Sequence, residues 1–182
     1  MNRRYYAVVL AGGQGLRMGY DIPKQFIEIE GKPILRHTIE RFRESFDEIE
    51  IIVVLPSGEK EYWKEYCKRT GFLDRYVMPS GGITRFHSVQ NALKYVPDGA
   101  IVAVHDGVRP FVTRDFLRSM FKKMEECKAL VPVTLPVESL REIGPDGTST
   151  AVDRSRYRLV QTPQIFHSEL LKEAYSQPYN PL

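Results

Sequence analysis

Cysteine is scarce in this chain. Cys67 and Cys127 are the only two, and neither belongs to a Cys-x-x-Cys pair, so no zinc site or redox motif is readable. Long apolar runs are missing as well. None approaches the roughly 20 residues that span a bilayer, which excludes a membrane as an expected partner. No charge of one sign dominates: the net charge is +3, and stretches such as Lys122-Lys123-Met124-Glu125-Glu126 mix both signs. That balance suits a small anionic substrate and does not call for nucleic acid. There is no internal repeat and no low-complexity tract. The P-loop pattern Gly-x-x-x-x-Gly-Lys-Ser/Thr is absent. The dinucleotide fingerprint begins at Gly13 and Gly15 but meets Met18 where its third glycine belongs. Residues Met1 to Tyr6 lead directly into a strand, which leaves no room for a signal peptide and makes a cytoplasmic enzyme the expectation.

What is present is concentrated near the start. The strand-length run Tyr6 to Leu10 ends abruptly in Ala11-Gly12-Gly13-Gln14-Gly15-Leu16-Arg17-Met18, with Pro23-Lys24-Gln25 five residues on. Small residues let backbone N–H groups approach a ligand closely. Arg17 and Lys24 follow as fixed positive charge. Strand, glycine turn and cations in this order suit a polyphosphate: backbone donors face its oxygens and fixed positive charge offsets theirs. The bland alternative is a glycine-rich turn with two solvated cations. The joint spacing of Arg17 and Pro23-Lys24-Gln25 favours the functional reading, and the pattern is similar to the signature of nucleotidyltransferases.

The remaining chain alternates strand and helix. The length of 182 residues fits one domain, 1–182, with a sizeable core. Pro33 precedes an apolar stripe of Ile34, Leu35, Thr38, Ile39 and Phe42 at helical spacing. Glu50 to Leu55 is a buried strand by its β-branched content, and residues 59–70, including Trp63 and Tyr66, read as a surface helix closed by Gly71. Tyr76 to Pro79 leads to Ser80-Gly81-Gly82, and Thr84 opens a helix with Val89, Ala92, Leu93 and Val96 inward. Ala100 to Val104 is a strand ending in His105-Asp106-Gly107-Val108-Arg109-Pro110. A helix over 114–127 and strands over 129–133 and 158–164 follow, then a short helix over 168–175. Residues 134–157 lose helical period, and Pro145-Asp146-Gly147 is a turn signal, so Val137 to Ile143 and Thr148 to Asp153 are expected to pair as a projecting hairpin. The pattern predicts an α/β fold with a Rossmann-like, mainly parallel sheet flanked by helices, with its chemistry at the carboxyl ends of strands.

Asp106 follows a buried strand directly. Such a carboxylate can hold magnesium by one oxygen while phosphates and water complete the shell. A turn or capping aspartate is the alternative, and the neighbouring Arg109 favours the site reading. His105 is expected to be structural and bonded to backbone, since no serine or cysteine nucleophile accompanies it. Ser88 could bond a base or ribose, or merely cap a helix.

The ordered set Leu-Ala-Gly-Gly-x-Gly-x-Arg-Met, Pro-Lys-Gln, Gly-Gly-x-x-Arg-x-x-Ser, His-Asp-x-x-Arg-Pro, Asp-Arg and Gln-Thr-Pro-Gln resembles the methylerythritol phosphate cytidylyltransferases of the non-mevalonate isoprenoid pathway, over nearly the whole chain. The first motif is shared by many sugar-phosphate nucleotidyltransferases; His105-Asp106 with Arg109-Pro110, and Thr162-Pro163-Gln164, narrow it to polyol-phosphate cytidylyltransferases. The resemblance implies that Ala11, Gly12 and Gly13 line a CTP site, that Arg17 and Lys24 stabilise charge at the α-phosphorus, and that Gly82, Arg85 and Ser88 surround cytosine and ribose. It further implies that Asp106 binds magnesium and that Arg109, Ser139, Arg154 and Thr162 surround the acceptor phosphate. Glu138 and Ser139 stand where the family usually has Asp and Thr, swaps that keep the chemistry. In the family the segment near 134–157 is an arm embracing a second subunit, so a homodimer is expected. The family continues with a further strand and helix that carry a substrate-orienting lysine. The natural chain is accordingly expected to extend past Leu182. Ribitol 5-phosphate cytidylyltransferase, and a nucleotide-binding regulatory protein without catalysis, are the alternatives.

Overall fold

The computed structural model describes residues 3–13, 22–72 and 74–181. Strand β1 (Tyr5–Leu10) opens the fold, and the short strands β2 (Glu28–Ile29) and β3 (Lys32–Pro33) form a hairpin before helix α1 (Ile34–Ser45). Next come β4 (Glu50–Val54), α2 (Lys60–Thr70), β5 (Tyr76–Val77), α3 (Arg85–Leu93), β6 (Ile101–Asp106) and α4 (Arg114–Lys123). The last third holds β7 (Ala129–Leu130), β8 (Val133–Thr134), β9 (Arg141–Ile143), β10 (Ser149–Ala151), β11 (Leu159–Val160), β12 (Gln164–His167) and α5 (Ser168–Tyr175).

The central sheet runs β5-β4-β1-β6-β12-β7. The first four strands are mutually parallel, and β12 is antiparallel to both β6 and β7. Side chains alternate across a strand. Ala7 and Val9 of β1 therefore join one core cluster with Leu35, Phe42, Trp63 and Leu117. Tyr6 and Val8 join the other, with Val89, Ala92 and Leu171. Helices α1, α2 and α4 thus cover one face and α3 and α5 the other. Burial on both sides explains why β1, β4 and β6 read as continuous apolar runs.

Several local expectations change. Helix α2 does lie at the periphery, but Trp63 and Tyr66 are core residues, fully or nearly buried, with stacked rings 5.4 Å apart. Gly71 closes the helix in the left-handed conformation with φ 65°, as its composition suggested. The expected strand over 129–133 splits at Pro132, which has no N–H for a ladder: β7 stays in the central sheet, while β8 pairs with β11. The strand expected over 158–164 splits likewise around Pro163, so β12 begins at Gln164 and continues to His167. Helix α4 ends at Lys123 rather than 127, and Phe116, at the margin of the Leu117, Met120 and Phe121 stripe, is exposed. The expected hairpin forms, but with three residues in each strand rather than Val137 to Ile143 and Thr148 to Asp153: β9 and β10 pair antiparallel, every residue of both strands is exposed, and Gly147 turns the chain at φ 81°.

The topology locates a crevice. After β1 the chain adds β4 and β5 on one side, then crosses to place β6 on the other. Strand order therefore reverses at β1, and ligands of open α/β sheets bind at the carboxyl edge of such a switch point. The register pairs Leu10 with both Val54 and Asp106, so three strand ends are level at that edge.

Candidate active site

A cleft of about 340 Å³ opens at this edge, lined by Gly12, Gly13, Gly82, Arg85, Ser88 and Asp106 among others. Its first wall is the glycine loop. The Ala11 N–H donates to the Val54 carbonyl at 2.9 Å, which fixes the loop where it leaves the sheet. Gly12 and Gly13 beyond it are exposed.

The opposite wall is built from local hydrogen bonds. The Gly81 N–H donates to the Leu55 carbonyl at 2.8 Å. The Ser88 hydroxyl accepts from the Gly82 N–H and donates to the Thr84 carbonyl, both at 3.0 Å. Thr84 in turn caps α3 by accepting from the His87 N–H. Ser88 does not cap the helix: it lies within α3, whose cap is Thr84, and its hydroxyl holds Gly82 in place while the residue lines the cleft. Gly82 itself leaves no room for a side chain, since a Cβ there would lie 2.3 Å from the His87 Cβ.

Asp106 forms the floor. Its carboxylate meets Arg109 at 3.0 Å and Arg85 at 3.4 Å. Its backbone N–H donates to the Thr162 hydroxyl at 3.4 Å. Arg109 reaches on to the Gln161 side-chain carbonyl at 2.6 Å. One carboxylate between two half-exposed guanidinium groups is an anion-attracting arrangement. Among the described residues no group of three His, Cys, Asp or Glu side chains could hold a metal ion. A magnesium site supplied by a single carboxylate still fits, because that ion commonly takes one or two carboxylates and completes its shell with substrate phosphates and water. Asp106 is the carboxylate that lines this cleft, and each of its oxygens faces an arginine.

His105 plays the structural part expected of it. It is buried, and its Nε2 bonds the Arg109 carbonyl at 3.0 Å. Burial pushes its pKa down to about 4, so it is neutral at pH 7, and Nε2 carries the proton that the carbonyl accepts. Thr38 reinforces the same turn from α1, its hydroxyl donating to the Gly107 carbonyl at 2.9 Å.

A second, larger cavity of about 690 Å³ adjoins the cleft and shares Val108 with it. Arg109, Gln161 and Thr162 stand on its polar side, and Ile29, Val112 and Val133 among its apolar lining.

The expected site residues thus fall into three groups. Ala11, Gly12, Gly13, Gly82, Arg85, Ser88, Asp106, Arg109 and Thr162 converge on the two cavities or the turns that bound them. Lys24 sits on a 3-10 turn, Lys24–Phe26, and lines neither; Arg17 lies outside the described residues. Ser139 and Arg154 are on the exposed arm, where the Arg154 guanidinium donates to the Val137 carbonyl. Sequence reasoning missed Gln161 as the partner of Arg109, although it opens the Gln-Thr-Pro-Gln motif. Thr84, read from the sequence only as the opening of a helix, also lines the cleft.

Comparison with known proteins identifies relatives of the whole chain. Residues 5–181 match the family model described as 2-C-methyl-D-erythritol 4-phosphate cytidylyltransferase. The enzyme of that name from Bacteroides thetaiotaomicron is 48% identical over 174 residues, covering 96% of this chain and 79% of its own. That from Porphyromonas gingivalis is 49% identical over 179 residues, covering 98% and 79%. Among solved structures, the 4-diphosphocytidyl-2C-methyl-D-erythritol synthase of Anaerococcus prevotii superposes with a TM-score of 0.80 at 26% identity, covering 96% of this chain and 74% of that one. The cytidylyltransferase of Thermus thermophilus gives 0.70 at 28%, covering 96% and 75%. The chain belongs to the 2-C-methyl-D-erythritol 4-phosphate cytidylyltransferase family.

Proposed function

We propose that the protein transfers the cytidylyl group of CTP to 2-C-methyl-D-erythritol 4-phosphate, giving 4-diphosphocytidyl-2-C-methyl-D-erythritol and pyrophosphate in non-mevalonate isoprenoid precursor synthesis. The observation that carries this reading is the cleft at the switch point, where the glycine loop, Gly82 and Ser88 face Asp106 between two arginines. The names of the matched relatives favour neither a ribitol phosphate enzyme nor a regulatory protein without catalysis.

In this reading an acceptor phosphate oxygen attacks the α-phosphorus, that P–O bond forms, and the bond to pyrophosphate breaks. A phosphate monoester is already ionised at neutral pH, so no general base is needed. That agrees with His105, which is neutral and committed to Arg109. The protein's work is positioning and charge stabilisation. Ala11, Gly12 and Gly13 bring the backbone to the nucleotide, and Gly82, Arg85 and Ser88 flank its base and ribose. Lys24 and Arg17 meet the charge that gathers on the α-phosphate and leaving group. Magnesium held by Asp106 would supply further charge neutralisation at the phosphates. Arg109 and Thr162 face the acceptor, joined by Ser139 and Arg154 of an arm.

Two supports favour a homodimer formed through the arm, about 134–157, which projects from the single domain. Its strands are wholly exposed, and Leu135, Val137 and Ile143 are apolar side chains left in solvent. Among the described residues no helix is long and apolar enough to cross a membrane. A cytoplasmic location goes with small charged substrates of this kind. The test is pyrophosphate release. CTP with methylerythritol phosphate and magnesium is expected to turn over, while ATP, GTP and UTP, or ribitol 5-phosphate as acceptor, are expected to be poor. Equal turnover with UTP, or full activity in chelator, would overturn the specificity and the metal requirement respectively.

A further inference from the structure

Lys24 lies on a short turn that does not reach either cavity, yet its proposed task demands a fixed ammonium. What holds that turn is found 34 residues further along the chain. Gln25 is fully buried, an unusual place for a carboxamide. Its side-chain amide donates to the Glu59 carboxylate. Phe26, also buried, stacks on Trp63 with centroids 6.1 Å apart and tilts against Tyr62 at 4.7 Å. The turn is closed by the Phe26 N–H on the Pro23 carbonyl at 2.9 Å, and is tied on its far side by the Ile34 N–H on the Ile27 carbonyl at 2.9 Å.

Glu59 has an unusual bias of its own. It stands at the N-cap position of α2, where an acidic side chain would ordinarily serve the free N–H groups of the helix. It makes no capping hydrogen bond there. Its carboxylate turns to Gln25 instead, and burial raises its pKa above the ordinary carboxylate value, so the contact is partly desolvated. The segment that carries Glu59 also touches the rest of the cleft. Val54 accepts from the Ala11 N–H of the glycine loop, and Leu55 accepts from the Gly81 N–H of the opposite wall. Residues 54–59 therefore bond three separate pieces of the nucleotide site.

We infer that Glu59, acting through Gln25, is a positioning residue for Lys24, and that the β4–α2 connection is the strut from which the glycine loop, the Gly81 wall and the lysine turn are all held in register. Misplacing a charge-stabilising group by about an ångström costs rate much more than it costs ground-state binding. The inference rests on the reading of Lys24 given under Proposed function.

The test compares steady-state kinetics of the wild type, Glu59→Ala, Lys24→Ala and the double variant, with thermal melting to monitor folding. Lys24→Ala should lower kcat by about 10²–10³. Glu59→Ala should lower kcat about tenfold while KM for CTP stays within about threefold. Glu59→Gln keeps an acceptor for the Gln25 amide and should recover most of kcat. In the Lys24→Ala background, Glu59→Ala should change kcat less than about twofold, because the group it positions is gone. If Glu59→Ala fails to fold, Gln25→Met, similar in volume but without the amide, carries the same comparison. Equal losses of kcat in both backgrounds would mean general damage and overturn the inference. So would a Glu59→Ala enzyme with wild-type kcat. A Lys24→Ala enzyme with wild-type kcat is a different failure: it removes the catalytic reading of Lys24 itself.

Discussion

His105 is the fifth residue of β6, level with Val9 of the neighbouring strand and edge-on to the Phe42 ring at 5.4 Å. Its burial has a thermodynamic consequence. The folded pKa is held down near 4, against an unfolded value near the ordinary 6.5 for histidine. Between those two values the unfolded chain binds a proton that the folded chain refuses. Stability therefore rises with pH across this window and falls as pH is lowered from about 6.5 towards 4, by up to about 1.4 kcal/mol per pH unit from this one group. His105→Gln removes the titration and keeps an N–H able to reach the Arg109 carbonyl. Urea unfolding at several pH values between 4.5 and 7 should show a shallower pH slope for the variant than for the wild type. Identical slopes would assign the acid sensitivity to other groups.

At the scale of elements, the site depends on how closely the ends of β1 and β6 approach each other. The Gly107 N–H donates to the Leu10 carbonyl at 2.7 Å, one step past the last ladder pair. A Cβ on Gly107 would lie 3.0 Å from both the Leu10 carbonyl oxygen and the Ala11 Cβ, and 3.2 Å from Leu35 Cδ1. Two of these neighbours are anchored by the strand and the glycine loop, so they have little freedom to move. Gly107→Ala should cost about 1–3 kcal/mol of stability by overpacking. It should also raise KM for CTP, because Ala11 and the loop beyond it are pushed from Asp106. A Tm unchanged within a degree would show that the strand ends relax freely. Much of this geometry was legible in the sequence: strands ending in Ala11-Gly12-Gly13, Gly81-Gly82 and Asp106 are visible from apolar runs that stop abruptly, and their convergence follows from a parallel sheet. Less legible were the breaks at Pro132 and Pro163, because a stretch of strand-forming residues reads as one strand even when its halves join different sheets. The burial of Trp63 and Tyr66 was hidden by the charged residues around them. The contact between Gln25 and Glu59 could not be read at all, since nothing local in either residue names a partner so far along the chain.

For the whole molecule, the proposed role of Arg154 at the acceptor phosphate raises the question of which subunit would supply it. Arg109 and Thr162 line the larger cavity, while Ser139 and Arg154 stand on an exposed arm and line neither cavity. A polar hairpin with Leu135, Val137 and Ile143 exposed has no core of its own to fill. In a two-fold dimer the same surface meets itself, so arms would be exchanged symmetrically and each site would take Arg154 from the other subunit. Mixing two inactive variants tests this. Lys24→Ala and Arg154→Ala are unfolded and refolded together, and subunit exchange is verified independently. In a mixed dimer with exchanged arms, one site inherits both defects and the other neither. Random pairing makes half of the dimers mixed, so activity should return to roughly a quarter of wild type. If Arg154 serves its own subunit, every site in the mixture carries one defect, and activity stays at the level of the parents. That outcome, or a monomeric protein, would remove the shared site while leaving the chemistry at Asp106 and the glycine loop untouched.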